Sequence, residues 1–389
     1  MVWMLTHGPR SLAALACSSA LLLGACGGDD GGDAPGADEQ SEDAGETEPE
    51  PETGADTSSG ESTETPPSCG GTFEVSGPVG APGYIYVDDR FTGVEAPGAL
   101  TLALGSEHTI AVAERAIPGV DGHYFERTLV IEDSLCELTL DPGERVGPKT
   151  WRALWVGVGQ AQAPVDGQTC TSQASGAELD AAFADFEWSL DEHFARYTHG
   201  TLDWEVVRQD LAGPVALSGA EDFFELRPGD LGEVWAAVEP GDYDVIVAAW
   251  KSRGSGCTIP GNYFGLGWSP QGETKQSGFV TIKFDTDDIA STIAWHHEND
   301  PGVWIHEWLH TIGEAFYPNL GAPMPSPGGD GLIVHGAGNY GYNPPWMVWY
   351  EHFVSGRVDE GGGEYSGINP TSFAACTVRD FAVGACSGL

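Results

Sequence analysis

The chain has 389 residues, 41% of them apolar, enough to bury a sizeable core and to make two domains with non-globular stretches to spare. Asp and Glu number 59 against 16 Lys and Arg, so the formal charge is −43, which argues against nucleic acid as a partner.

Residues 1–25 read as an export signal. The stretch MVWMLTHGPRSLAALACSSALLLGAC has a lone Arg10, an apolar run from Leu12 to Leu23 too short to span a bilayer, and small residues before a cysteine. Leu23, Gly24, Ala25 and Cys26 fit the cleavage box of bacterial lipoproteins, in which the chain is cut before the cysteine and the cysteine carries the acyl chains. Cys17 fits less well, because the apolar run ahead of it is too short. Lipid at Cys26 would anchor the protein in a bacterial cell envelope without a spanning helix, and Gly27 in place of aspartate points to the outer membrane or the cell surface. An ordinary secretory peptide with an incidental cysteine is the alternative. After Cys26, the segment 26–67 holds no aromatic and no basic residue. It has too little to bury to fold, and its carboxylates repel one another, so it reads as a disordered, extended acidic tether.

Residues 68–146 alternate apolar and polar positions in short runs: TFEVSG, GYIYVDD, LTLAL, HTIAVAE, RTLVIED and CELTL. Turn residues separate them, the pattern of a small antiparallel sandwich. The segment resembles the PEGA-type β domain, with Val87, Asp88, Gly93, Pro97, Gly105 and His108 at the positions of that family's pattern and Asp89 in place of its usual glycine. His108 reads as a turn or strand histidine. Six cysteines remain beyond Cys26, an even number in an exported protein, and none forms a CxxC pair that would hold a structural zinc cluster. Pairing within domains suggests Cys69 with Cys136, Cys170 with Cys257 and Cys376 with Cys386, one of fifteen possible connectivities.

From residue 147 to 389 the elements lengthen. WRALWVGVG predicts a buried strand, and SGAELDAAFADFEWSLDEHFARYTHG a helix with Leu179, Phe183, Phe186, Leu190, Phe194 and Tyr197 at helical spacing and a Ser175–Glu178 capping box. TLDWEVV, YDVIVAAW and SGFVTIKF follow as strands, with a short helix around DLGEVWAAV. Then comes VWIHEWLHTIGEAFY, a helix expected to be capped by Asn299 or Asp300 with Pro301 in its first turn. His306 and His310, four apart, share one helix face and can grip one zinc ion, while Glu307 beside them can take a proton from a water that the metal activates. This HExxH motif behind alternating strands and helices resembles the zincin fold of zinc peptidases.

A catalytic zinc needs a third protein ligand. The longer motif HExxHxxGxxH is kept at Gly313 but has Phe316 where its last histidine would stand. His335, in the glycine-rich GLIVHGAGNYGY, is the first choice; Glu314 and Asp330 are alternatives, with Glu351 and His352 behind them. Glu314 lies one helical turn past His310, so it can instead orient a ligand histidine. Zincins often place a tyrosine after the third ligand to donate to the oxyanion, a role the resemblance assigns to Tyr340 or Tyr342. His296 and His297 are expected to line the cleft. NPPWMVWYEHFVSGRV predicts a helix whose Trp346, Trp349, Tyr350 and Phe353 pack in the core or line the cleft.

The expectation is an α+β protein: a zincin-like catalytic domain of mixed sheet plus HExxH helix, preceded by a small all-β sandwich and a disordered acidic linker. It would be a monomeric, lipid-anchored zinc metallopeptidase with a peptide or protein substrate and Zn2+ as cofactor. A surface-binding lipoprotein with a silent zincin domain, and a zinc amidase acting on cell-wall material, are the rival readings.

Overall fold

Two strands, Val245–Lys251 and Gly278–Phe284, are buried at every position. Such runs fit only inside a sheet covered on both faces. The two lie side by side and parallel, Val245 opposite Gly278, in the computed structural model of the chain, which describes residues 68–78, 80–115 and 122–389. The expected signal, the lipidation site Cys26 and the tether lie outside the described residues.

The long strand Lys149–Val165 runs parallel to Val245–Lys251 on one side and to Leu202–Ala216 on the other, and its second half pairs antiparallel with Gln168–Gln173. Side chains alternate across this sheet. Trp151, Ala153, Trp155, Val247 and Ile282 face one core, and Leu154, Val156, Ile246, Trp250 and Phe279 the other. A short strand not anticipated from the sequence, Gly265–Trp268, pairs antiparallel with Gly278–Phe284 and forms the edge of the sheet.

The first core is closed by helices. Gly176–Ser189 begins with the expected capping box, in which Glu178 N–H donates to Ser175 Oγ and Ser175 N–H to the Glu178 carboxylate. It continues through a π-helical turn, Leu190–Ala195, that keeps Leu190 and Phe194 facing inward. These residues pack on the HExxH helix, Val303–Thr311: Phe186 meets Trp304 at 5.3 Å and Phe194 meets Trp308 at 4.6 Å between ring centroids. Truncating a tryptophan so buried costs roughly 3–5 kcal/mol.

The start of that helix differs from expectation. A separate helix, Ile289–Asn299, is capped by Asp288 and runs up to Asp300, so Asn299 closes one helix and Gly302 is the N-cap of the next. Gly302 suits the place because the Tyr350 ring and the Met347 sulfur crowd it; a Cβ there would fall 2.7 and 2.8 Å from them.

In the front segment, Thr72–Ser76, Gly98–Thr101 and Glu137–Thr139 form one sheet; Arg90–Ala96, Gly83–Val87, Glu107–Glu114 and Tyr124–Val130 form the other. Phe73, Val75, Ile85, Ile110, Val112 and Leu138 fill the space between. One pair is parallel, Thr72–Ser76 with Glu137–Thr139, so the sandwich is not wholly antiparallel. The Cys69–Cys136 disulfide joins the chain just ahead of both strands. His108 sits in a strand and meets Asp88 at 2.7 Å. The outer face packs on the rest of the protein: Tyr86 hydroxyl donates to the Ser355 carbonyl at 2.7 Å, and the Arg357 guanidinium lies 3.6 Å from the Tyr84 ring centroid. The other disulfides join Cys170 to Cys257 and Cys376 to Cys386, as expected. The architecture is α+β, and among the described residues no helix is long and apolar enough to cross a membrane.

Candidate metal centre

The apolar residues of VWIHEWLHT decide which way its polar ones point. Trp304, Ile305, Trp308 and Leu309 enter the core, which turns His306 and Glu307 toward a cleft beneath the edge strand, with His310 against His306. His306 Nε2 and His310 Nε2 lie 3.2 Å apart. The 3-10 segment Val334–Tyr340 brings in His335, whose Nε2 is 3.4 Å from His306 Nε2. A tetrahedral ion with ligand bonds of about 2.0–2.1 Å sets its ligand nitrogens about 3.3–3.4 Å apart, which the two spacings from His306 match, and the three ligand atoms all lie within 4.8 Å of one another. His306, His310 and His335 are the group of the described residues that can hold a metal ion.

Each ring is also held from behind. His306 Nδ1 meets the Tyr350 hydroxyl at 2.9 Å, His310 Nδ1 the Glu314 carboxylate at 3.1 Å, and His335 Nδ1 the Asp330 carboxylate at 2.5 Å. With each Nδ1 turned to a polar partner behind its ring, the three Nε2 atoms face one another, the arrangement that metal binding requires. Burial, and then the proximity of His310 and His335, hold His306 well below its ordinary pKa, so the ring is neutral and its lone pair available.

Burial pushes Glu314 up, but the His310 contact and the Ile333 and Val334 N–H groups outweigh it and leave the carboxylate below its ordinary range. Asp330 is likewise pushed up by burial and brought below its ordinary value by His335 and the Leu332 N–H. Both therefore stay ionised beside the rings they orient. A second π-helical turn, Ile312–Phe316, carries Glu314, and a side chain at Gly313 would strike the Phe353 ring. Phe316 faces the core.

Glu307 is 5% exposed, and burial pushes its pKa up to about 8. Its Oε1 is 4.0 Å from His306 Nε2. The edge strand makes room for it: a Cβ on Gly265 would lie 2.6 Å from Glu307 Oε1, and one on Gly267 would lie 2.6 Å from His310 Cβ. Two glycines at a spacing of two present one bare strand face, which lets the backbone lie against the helix. The cleft encloses about 670 Å³. It is lined by Tyr263, Phe264 and Gly265 of the edge-strand region, by Val334, His335, Ala337 and Gly338, and by Asp300, Val303, Trp346 and Tyr350.

Several expected residues lie elsewhere. Tyr340 hydroxyl donates to Glu360 and its ring stacks on Trp349, while Tyr342 hydroxyl pairs with His352 Nδ1 at 2.6 Å; neither lines the cleft. Glu351 pairs with Arg357. His297 is bound to Asp185 and stacked on Trp188, and His296 is buried behind Phe264, so neither histidine is part of the cleft wall. The tyrosine that does reach the histidines is Tyr350, from the expected helix, observed as Met347–Phe353. Burial, and then Asp300 and Glu307, hold its hydroxyl protonated. The sequence placed Tyr350 on a core or cleft face without a role. The FGLGW run was not read as a strand, although its alternating glycines are a signal of close backbone approach. No family model, curated protein or solved structure matches this chain.

Proposed function

We propose that the protein is a zinc-dependent metallopeptidase of zincin type, exported and anchored by lipid at Cys26. The observation that carries this is the convergence of three histidine Nε2 atoms, each ring backed by a hydroxyl or carboxylate, beside a buried glutamate. Three imidazoles beside an open cleft suit a catalytic zinc better than a structural one, which is closed by four protein ligands. Zinc bound by His306, His310 and His335 would supply a Lewis acid that makes water a nucleophile near neutral pH.

The residues then have distinct tasks. Glu307 is aimed at the opening beside His306, where it takes a proton from the attacking water and returns it to the leaving amine. Burial raises its proton affinity above that of a free carboxylate, which favours taking up the proton. Tyr350, hydrogen-bonded to His306 Nδ1 behind the ring, holds that imidazole in the orientation that points Nε2 at the shared metal position. Gly265 and the apolar walls limit water around Glu307. An intact Glu307 among the histidines weighs against a silent domain.

The test is Glu307→Gln in the mature protein, with bound zinc measured beside hydrolysis of a peptide library. The expected result is stoichiometric zinc and turnover reduced by at least about 1,000-fold, as for loss of an essential base. Undiminished turnover would remove Glu307 from the chemistry, and a wild-type protein that binds no zinc would end the reading. Mass spectrometry should find Cys26 as an acylated first residue; an unmodified mature terminus elsewhere would end the anchoring part alone.

A further inference from the structure

We infer that the cleft selects cationic, amphipathic peptide segments, with Asp300 receiving the positive charge and Phe264 and Trp346 receiving the apolar part. This rests on the metallopeptidase reading and adds a substrate class to it. The first observation is the makeup of the walls. Tyr263, Phe264, Val303, Val334, Ala337 and Trp346 are apolar or aromatic, and no lysine or arginine lines the cleft. Phe264 is 62% exposed and Trp346 37%, so both rings are open to a ligand. Large exposed apolar groups gathered at a cleft mark a binding surface.

The second observation is Asp300, a carboxylate in the same wall. Burial raises Asp300 above the ordinary aspartate range; the groups that favour its charged form are His296 and the Gly302 N–H, and no lysine or arginine is among them. The Lys283 ammonium, which lies over the Tyr263 ring, is engaged by the Gly261 carbonyl. A half-buried carboxylate with no lysine or arginine against it among the described residues, in a cleft that also holds exposed aromatic rings, matches an ammonium or guanidinium borne on an apolar segment. The chain's acidic excess works in the same direction at long range, drawing cationic peptides in and repelling acidic ones.

The positive group can be a Lys or Arg side chain or the peptide's own α-ammonium, and the experiment separates them. Matched peptides would carry Lys, Arg, norleucine or citrulline beside an aromatic residue, each with a free or an acetylated N-terminus. For the wild-type protein, kcat/KM should favour the charged member of each pair by at least about tenfold at low salt and less at high salt. In Asp300→Asn the gap should close to within about twofold, and Asp300→Glu should restore most of it. Preference confined to free N-termini would name the α-ammonium as the group received.

Equal rates for charged and neutral peptides, or a preference that survives Asp300→Asn, would overturn the inference while leaving the peptidase reading standing. Binding of the same peptides to zinc-loaded Glu307→Gln protein gives a readout without turnover. Charge-dependent binding there, lost in the Asp300→Asn double variant, together with no hydrolysis by wild type, would retain the recognition and remove the peptidase reading.

Discussion

Glu314 Oε1 lies 3.1 Å from His310 Nδ1, and the same oxygen accepts the Val334 N–H at 3.0 Å while Oε2 accepts Ile333 N–H at 2.8 Å. One carboxylate therefore fixes a ligand ring on the helix and the backbone just ahead of His335. Glu314→Ala should lower zinc affinity about 10- to 100-fold, because it frees both. Chelator competition measures this, and an affinity equal to wild type would show that the clamp is not needed for the site. Glu314→Gln should fall between, since an amide cannot accept from all three donors.

His335→Ala leaves a two-histidine site, and zinc should then be lost to a chelator that wild type resists, with far-UV circular dichroism unchanged. His335 is exposed, so its removal leaves no buried cavity. Asp330→Asn should be milder, within about tenfold to 100-fold of wild type. Glu351→Gln and His352→Gln should leave zinc affinity alone, because those side chains answer to Arg357 and Tyr342. Loss of zinc in either of those two with the histidine cluster intact would argue for a different ligand set.

The parts legible in the sequence are those whose cause is local. The HExxH spacing puts two histidines on one face with a glutamate beside them whatever the rest of the chain does, and wholly apolar runs such as VIVAAW have few places to go but a covered strand. The same locality explains the errors. Tyr350 sits 44 positions from His306, and nothing in WMVWYEHF distinguishes a tyrosine that touches a ligand from one in the core. Tyr340 and Tyr342 follow His335 closely, but a 3-10 segment turns them onto Trp349 and His352 and away from the cleft. Asn299 and Asp300 look like caps for the metal helix until the preceding turns are seen to form a helix of their own.

Acid should destabilise the protein at a pH where most carboxylates are still charged. His193 and His199 are each held at about 4 by burial, and His352 likewise, so all three are neutral in the folded state. Unfolded histidines take up protons near 6.5, so as pH falls from about 6.5 toward 4 the unfolded state binds more protons and stability is lost. Above 6.5 their contribution is fully present. For His199, 2% exposed and donating Nδ1–H to the Glu114 carbonyl, the loss by pH 5 is on the order of 2 kcal/mol. Thermal melts of metal-free protein at pH 7.5 and 5 should show a drop in Tm that His199→Gln reduces. A drop of the same size in the variant would place the acid sensitivity elsewhere.

The edge strand offers a way to disturb the base and the ligands separately. A methyl on Gly265 would fall 2.6 Å from Glu307 Oε1 and Cδ, while one on Gly267 would fall 2.5 Å from the Glu307 carbonyl oxygen and 2.6 Å from His310 Cβ. Contacts that short cannot persist, so either the carboxylate or the strand must move. In Gly265→Ala the carboxylate is the flexible partner, so it should swing from its place by His306 and cost at least about 100-fold in kcat, in keeping with a misplaced catalytic group. Zinc content should stay stoichiometric, because none of the three histidines is touched. In Gly267→Ala the obstruction is helix backbone and the root of a ligand side chain, which cannot rotate away. The strand must lift or the helix must shift, so zinc affinity should fall as well as turnover. Zinc stoichiometry and kcat measured on both variants decide the matter: if Gly265→Ala loses metal and Gly267→Ala keeps it, the strand does not lie against the helix as described.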